Sequence, residues 1–304
     1  MSRLSLSEML GMSLDQMFAQ GLALRVEGSL RWGEGPAYLR AQDLWIYSDI
    51  PNNRVMSYSR RAGVNVFRSP SDFANGHCPL RDGGFVSCEH LSRSVTLTDV
   101  SGRTSILCDR FENLRLNSPN DVVEASDGAI WFTDPTYGIL SDAEGQKADP
   151  EQSSNRVYRY DRESGKLTAE IDGLSMPNGL SFSLDGRTLF VGDSGAEMGP
   201  ELGFDPSGPR DVFSFAIDES GHVAGPGQQF CHIEHDVPDG MRVDAKGRLW
   251  VATGRGVECY AADGSFLGCI ATPEIASNLA FGGSADDELF ITTATAAWLL
   301  PFRK

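Results

Sequence analysis

No stretch of this 304-residue chain stays apolar for long. The longest apolar run, residues 294–302, contains Thr295 and Pro301 and falls far short of the roughly 20 residues that cross a bilayer, which excludes a transmembrane helix. Basic residues are also few: 26 Lys and Arg stand against 42 Asp and Glu, a net charge of −16. Such a chain repels a phosphate backbone, and no basic stripe overrides that repulsion, so neither nucleic acid nor anionic membrane is expected as a partner. The N-terminal segment does not read as a secretory leader. Arg3 is its only cation, Glu8 and Asp15 fall among its apolar positions, and the expected compartment is the cytoplasm. Cysteine is sparse and unpaired in pattern: Cys78, Cys88, Cys108, Cys231, Cys259 and Cys269 show no CxxC spacing, which argues against a zinc ribbon and against a dense disulfide scaffold. Reduced, mostly buried thiols are expected.

What the chain does have is glycine, 33 of them, with 40% hydrophobic residues, the composition of a globular protein with many tight turns. It also has a repeat. Six segments open on a carboxylate or amide, at Glu34, Asn75, Asn120, Asn178, Asp239 and Asn278. Seven residues after the opener, four of them turn at Asp82-Gly83, Asp127-Gly128, Asp185-Gly186 and Lys246-Gly247. Fourteen or fifteen residues after it, each ends on Asp, Glu or Thr. Short β-branched and aromatic runs around a Gly-containing turn are antiparallel hairpins. A second kind of hairpin lies between them, at residues 54–67, 94–107, 156–171, 211–225 and 256–270. Two hairpins make a four-stranded sheet, and six such sheets predict an all-β, six-bladed β-propeller. The last blade lacks a strand after residues 296–302, and residues 22–27 are placed to supply it. Residues 4–18 show helical spacing, with Ser13 and Gln16 in capping-box positions, so the organisation expected is a helical extension over 1–20 and a propeller over 21–304.

Because strands alternate in direction, all six openers fall at one end of the central channel. A ring of oxygen-bearing side chains is costly to desolvate unless water or a cation satisfies it. One reading is a water-filled channel lined by turn-forming Asn and Asp. The other is a metal site: two carboxylates and several amide oxygens without a thiol are hard-cation chemistry, which suits calcium, with magnesium, manganese and zinc as alternatives. The connections after each second strand lie over this end. Two are long, residues 135–155 and 194–210, rich in Gly, Pro and acidic residues, as lids and binding loops are. His232 and His235 beside Cys231 are not expected to bind a second metal, since their spacing puts them on opposite faces of a strand. The five tryptophans read as packing between blades.

Six motifs in order resemble the SMP-30/gluconolactonase family, which includes the regucalcin-like lactonases. They are Gly33-Glu34-Gly35-Pro36, Cys88-Glu89-His90, Ser118-Pro119-Asn120-Asp121, Trp131-Phe132-Thr133-Asp134-Pro135 with Tyr137-Gly138, Pro177-Asn178-Gly179-Leu180 and Pro238-Asp239-Gly240. The resemblance implies a six-bladed propeller with one catalytic divalent cation, metal ligands at Glu34, Asn178 and Asp239, and Asn120 either as a fourth ligand or as a substrate contact. The bacterial gluconolactonases fit better than the animal proteins, whose pattern has an arginine where this chain has Ser118. The activity implied is hydrolysis of a sugar lactone by metal-assisted water attack, with Asp239 and Asn120 as catalytic residues and Asn75, His90, Asn120 and Tyr137 toward substrate. His90 reads equally as a structural hydrogen-bonding group. Alternatives are phosphotriester hydrolysis, as in diisopropylfluorophosphatase-like propellers, and a non-catalytic binding propeller.

Overall fold

A computed structural model describes residues 3–199 and 203–304. The strands form six four-stranded antiparallel sheets, five of them running outward from the channel in chain order, and one two-stranded ribbon, Arg110–Phe111 with Leu114–Arg115. Blade 1 comprises Gly33–Leu39, Leu44–Asp49, Arg54–Ser59 and Gly63–Arg68; blade 2, Ala74–Pro79, Phe85–Glu89, Ser94–Thr98 and Thr104–Cys108; blade 3, Val122–Glu124, Ile130–Asp134, Arg156–Tyr160 and Leu167–Asp172. Blade 4 comprises Pro177–Phe182, Thr188–Asp193, Asp211–Ala216 and Gln228–His232; blade 5, Met241–Val243, Leu249–Thr253, Gly256–Tyr260 and Phe266–Ala271. Blade 6 has Ala276–Gly282, Glu288–Thr293 and Ala297–Pro301, and its outermost strand is Leu24–Glu27, paired through Leu24 with Leu299 and Arg25 with Trp298. The expected closure of the last blade by the N-terminal segment is therefore present.

The period-two alternation of strands divides each blade's side chains between two neighbours. In blade 1, Trp45 and Tyr47 enter the core shared with blade 6, while Ile46 enters the core shared with blade 2. In blade 3, Ile130 and Phe132 face blade 2 and Trp131 faces blade 4. In blade 5, Leu249 and Val251 face blade 4 and Trp250 faces blade 6. The apolar core is thus six inter-blade cores, and Trp45, Trp131, Trp250 and Trp298 are buried in them as packing groups.

The N-terminal segment forms two short helices, Leu6–Met9 and Leu14–Ala19, where a single one was expected. Gly11, at a φ of +86°, separates them, and each starts with its own capping box, Ser5 with Glu8 and Ser13 with Gln16. Leu6, Met9, Leu14 and Met17 are buried against Trp250, Ile270 and Trp298, so both helices dock at the junction of blades 5 and 6. All six cysteines are free. Among the described residues no helix is long and apolar enough to cross a membrane.

Candidate active site at one mouth of the channel

At four of the six openers the strand ladder is irregular. Register shifts fall between Glu34 and Ala37, Ala74 and His77, Pro177 and Leu180, and Ala276 and Asn278. Asn120 and Asp239 precede three-residue strands and tie their N–H groups to Thr133 O and Ala252 O, each at 2.9 Å. A bulge takes a side chain out of the alternating pattern and re-aims it. Here it releases the openers from the two blade interfaces toward the axis.

The residue after the opener sets how close the next blade comes. A Cβ on Gly35 would lie 2.1 Å from Asn75 O, one on Gly76 2.6 Å from Asn120 O, one on Gly179 2.1 Å from Asp239 O, and one on Gly240 2.0 Å from Asn278 Cγ. Only glycine permits these approaches, which bring consecutive openers into contact. Between blades 6 and 1 the junction is a hydrogen bond, Asn278 Nδ2 donating to Glu34 Oε2 at 3.0 Å. Five of the six junctions between consecutive openers are thus closed, all but that from Asn120 to Asn178.

Glu34, Asn75, Asn120, Asn178 and Asn278 are buried, and Asp239 is half-buried. Burial raises the Glu34 carboxyl above its usual range, helped by the charges of Asp121 and Glu144 and opposed by the Asn278 amide and the Gly35 N–H. Burial also raises Asp239 well above its range, with the charge of Glu34 adding to it and the Asn178 amide opposing. The Asn120 side-chain amide makes no hydrogen bond among the described residues. Among those residues, no three His, Cys, Asp or Glu side chains converge as a metal cluster. The donor set is instead two carboxylates with amide oxygens.

His90 and Tyr137 prove to be engaged. His90 Nδ1–H donates to the Glu144 carbonyl at 2.8 Å, leaving Nε2 to accept from Asn75 Nδ2 at 3.3 Å. Burial lowers its pKa to about 4, so the ring is neutral. It orients Asn75, and both nitrogens are occupied. The Tyr137 hydroxyl, at the start of the short helix Tyr137–Leu140, is shared between Ser194 O at 3.2 Å and Glu197 O at 3.3 Å. Tyr137 thereby joins the loop of residues 135–155 to that of residues 194–210, of which 200–202 lie outside the described residues.

Three groups given no role from the sequence, Ser118, Glu144 and Glu197, stand around these residues. Ser118 is buried; its hydroxyl donates to Pro135 O at 2.6 Å and accepts from Gly138 N at 2.9 Å, so it pins the chain that carries Tyr137. Glu144 is pushed up to about 7 by burial and by the charge of Glu197. Glu197 is itself raised by burial and by Asp236. The acidic composition of both long loops was the available signal. His232 is exposed on Asp211 at 2.8 Å and takes no part in the mouth.

Comparison with known proteins adds to this geometry. Residues 32–295 match the profile described as the SMP-30/Gluconolactonase/LRE-like region. This chain belongs to the SMP-30/gluconolactonase family. Among family relatives, a gluconolactonase of Zymomonas mobilis is 28% identical over 88% of this chain and 78% of its own length. The pentonolactonase XacC of Haloferax volcanii is 28% identical over 88% and 84%. A solved gluconolactonase structure from Xanthomonas campestris is 36% identical, covers 92% of this chain and 89% of its own, and superposes with a TM-score of 0.83. Bacterial gluconolactonases are thus among this family member's relatives, in line with the motifs.

Proposed function

We propose that the protein is a divalent-cation-dependent lactonase that opens a sugar lactone by attack of water on the ring carbonyl. The observation that carries this reading is the convergence of Glu34, Asn120, Asn178 and Asp239 at one mouth of the channel, in a chain whose relatives are named as lactonases. Two carboxylates whose hydrogen-bonding neighbours are neutral amides form a set that a cation would relieve of mutual repulsion. Its oxygen-only chemistry favours calcium, held by Glu34, Asn178 and Asp239 with Asn120 as fourth ligand or substrate contact. When bound, such an ion supplies Lewis-acid polarisation of a carbonyl and lowers the pKa of a water.

The residues of the chain do the rest. Asn120, whose side-chain amide makes no hydrogen bond among the described residues, orients the lactone. Asp239 takes up the proton of the attacking water. His90 holds Asn75 in one orientation, and the loops joined by Tyr137 shield the mouth from bulk water.

The test is proton release from glucono-δ-lactone and from a phosphotriester, with and without EDTA, in wild type and Asp239→Ala. Lactone turnover that EDTA abolishes, calcium restores and Asp239→Ala lacks is the expected result. Phosphotriester turnover alone would transfer the site to the other chemistry. Lactone turnover untouched by chelation and by Asp239→Ala would remove the mechanism.

A further inference from the structure

The contact between openers through glycine is missing at two junctions: after Asn278, which is followed by Leu279 and hydrogen-bonds Glu34 instead, and after Asn120. After Glu34, Asn75, Asn178 and Asp239 comes glycine, but after Asn120 comes Asp121, at the junction from blade 3 to blade 4. A different device occupies this junction. Arg242 lies three residues after Asp239 on the innermost strand of blade 5, and its guanidinium reaches across the channel. Nη1 donates to Asp121 Oδ2 at 3.0 Å and Nη2 to Oδ1 at 3.4 Å, a fork on one carboxylate. Nη1 also donates to Leu180 O of blade 4 at 3.5 Å and to Met241 O at 2.7 Å. One side chain thus joins blades 3, 4 and 5, the three that supply Asn120, Asn178 and Asp239.

Asp121 is held for this contact from its own side. Its Oδ1 accepts from the Val122 N–H at 2.9 Å, and a Cβ on Gly76 would lie 2.7 Å from the same oxygen, so blade 2 presses against it. Its side chain is 1% exposed and that of Arg242 17%. Without a partner, Asp121 would be a third negative charge beside Glu34 and Asp239, both of which feel it. Beyond Arg242 lies a cavity of about 270 Å³ at the opposite mouth, lined by Ala37, His77, Val122 and Phe281 among others, with Arg242 in its wall.

We propose that Arg242 is a positioning residue for the reaction: by clamping Asp121 and the Leu180 carbonyl it sets the mutual placement of Asn120, Asn178 and Asp239 where the glycine contact is absent. This rests on the lactonase reading above. A forked, charge-assisted pair carries more geometric information than a point charge, so lysine substitutes poorly.

The experiment compares wild type, Arg242→Met, Arg242→Lys and the double variant Asp121→Asn/Arg242→Met. It reads three quantities: calcium affinity of EDTA-stripped protein by calorimetry, kcat and KM for glucono-δ-lactone, and thermal unfolding. Removing a group that orients ligands costs about 10- to 100-fold in metal affinity or activity. Arg242→Met is expected to lose calcium affinity by that factor, with the loss in turnover falling mainly on kcat, and Arg242→Lys to recover only part of it. The double variant leaves no uncompensated buried carboxylate, so it is expected to fold and yet stay impaired. A double variant with calcium affinity and kcat within twofold of wild type, whatever its thermal midpoint, overturns the proposal. A wild type that opens no lactone removes the functional reading instead, and the calcium titration still decides the role of Arg242.

Discussion

Asn278 donates a hydrogen bond to Glu34 across 244 residues of sequence, joining the opener of the last blade to that of the first. The same side chain accepts from the Leu279 N–H at 2.8 Å, so its amide is fixed with nitrogen toward Glu34. Asn278→Ala leaves a buried carboxylate one donor short and a buried N–H without an acceptor. The expected cost is about 1–3 kcal/mol in chemical denaturation, and calcium affinity is expected to weaken by about tenfold through the loosened Glu34.

Two glycines separate the ring from ordinary turns. Gly179→Ala places a methyl against the Asp239 carbonyl, and neither backbone can yield without moving an opener. A destabilisation of about 1–3 kcal/mol is expected, together with a fall in lactone turnover. Gly128 sits at a φ of +88° in a hairpin turn with no atom near its missing Cβ. Gly128→Ala should cost about 1 kcal/mol in left-handed strain and leave kcat and KM as in wild type. Equal turnover in the two variants would contradict the role given to Gly179.

Ser118 replaces the arginine of the animal pattern, and its hydroxyl clasps Pro135 and Gly138. Ser118→Ala should loosen the chain carrying Tyr137 without touching an opener. KM for the lactone is then expected to rise while calcium affinity stays at the wild-type value, as for a lost binding contact. A calorimetric titration beside steady-state kinetics separates the two effects.

His77 gives a pH dependence of stability. The Ser48 hydroxyl donates to Asn75 O at 2.8 Å, so His77 Nε2–H donates to Ser48 Oγ at 2.9 Å and Nδ1 accepts from Ser87 at 2.7 Å. Burial drives the His77 pKa down to about 3, below its unfolded value of 6.5. The unfolded chain therefore takes up the proton first. The contribution of neutral His77 is complete above pH 6.5 and is lost as pH falls, by about 1.4 kcal/mol per unit between 6.5 and 3. Asp134, raised to about 7 by burial, works in the opposite direction. The informative quantity is thus the difference in unfolding free energy between wild type and His77→Gln, which should shrink as pH falls from 6.5. A difference constant from pH 7 to 4 would contradict a neutral buried His77.

The blades and the ring were legible in the sequence because both follow from short-range rules. A hairpin repeats its turn seven residues after four of the six openers, and strand alternation places the openers at one end. Glycine after the opener at four of the six positions was visible too, although its reason, the approach of the next blade, appears only in three dimensions. The hydrogen bonds of His90 and Tyr137 to the loop carbonyls Glu144 O and Ser194 O were not legible, because no local pattern encodes the positions of those carbonyls. The pairing of Asp121 with Arg242 was invisible for the same reason: 121 residues separate them, and only closure of the propeller brings them together.

The central claim is that the ring of openers holds one divalent cation. Calorimetric titration of calcium into EDTA-stripped protein, for wild type and for Asp239→Ala, tests it most directly. One site per chain in wild type and no detectable site in Asp239→Ala is the result this account predicts. Absence of binding in wild type, or an unchanged isotherm in Asp239→Ala, would contradict it.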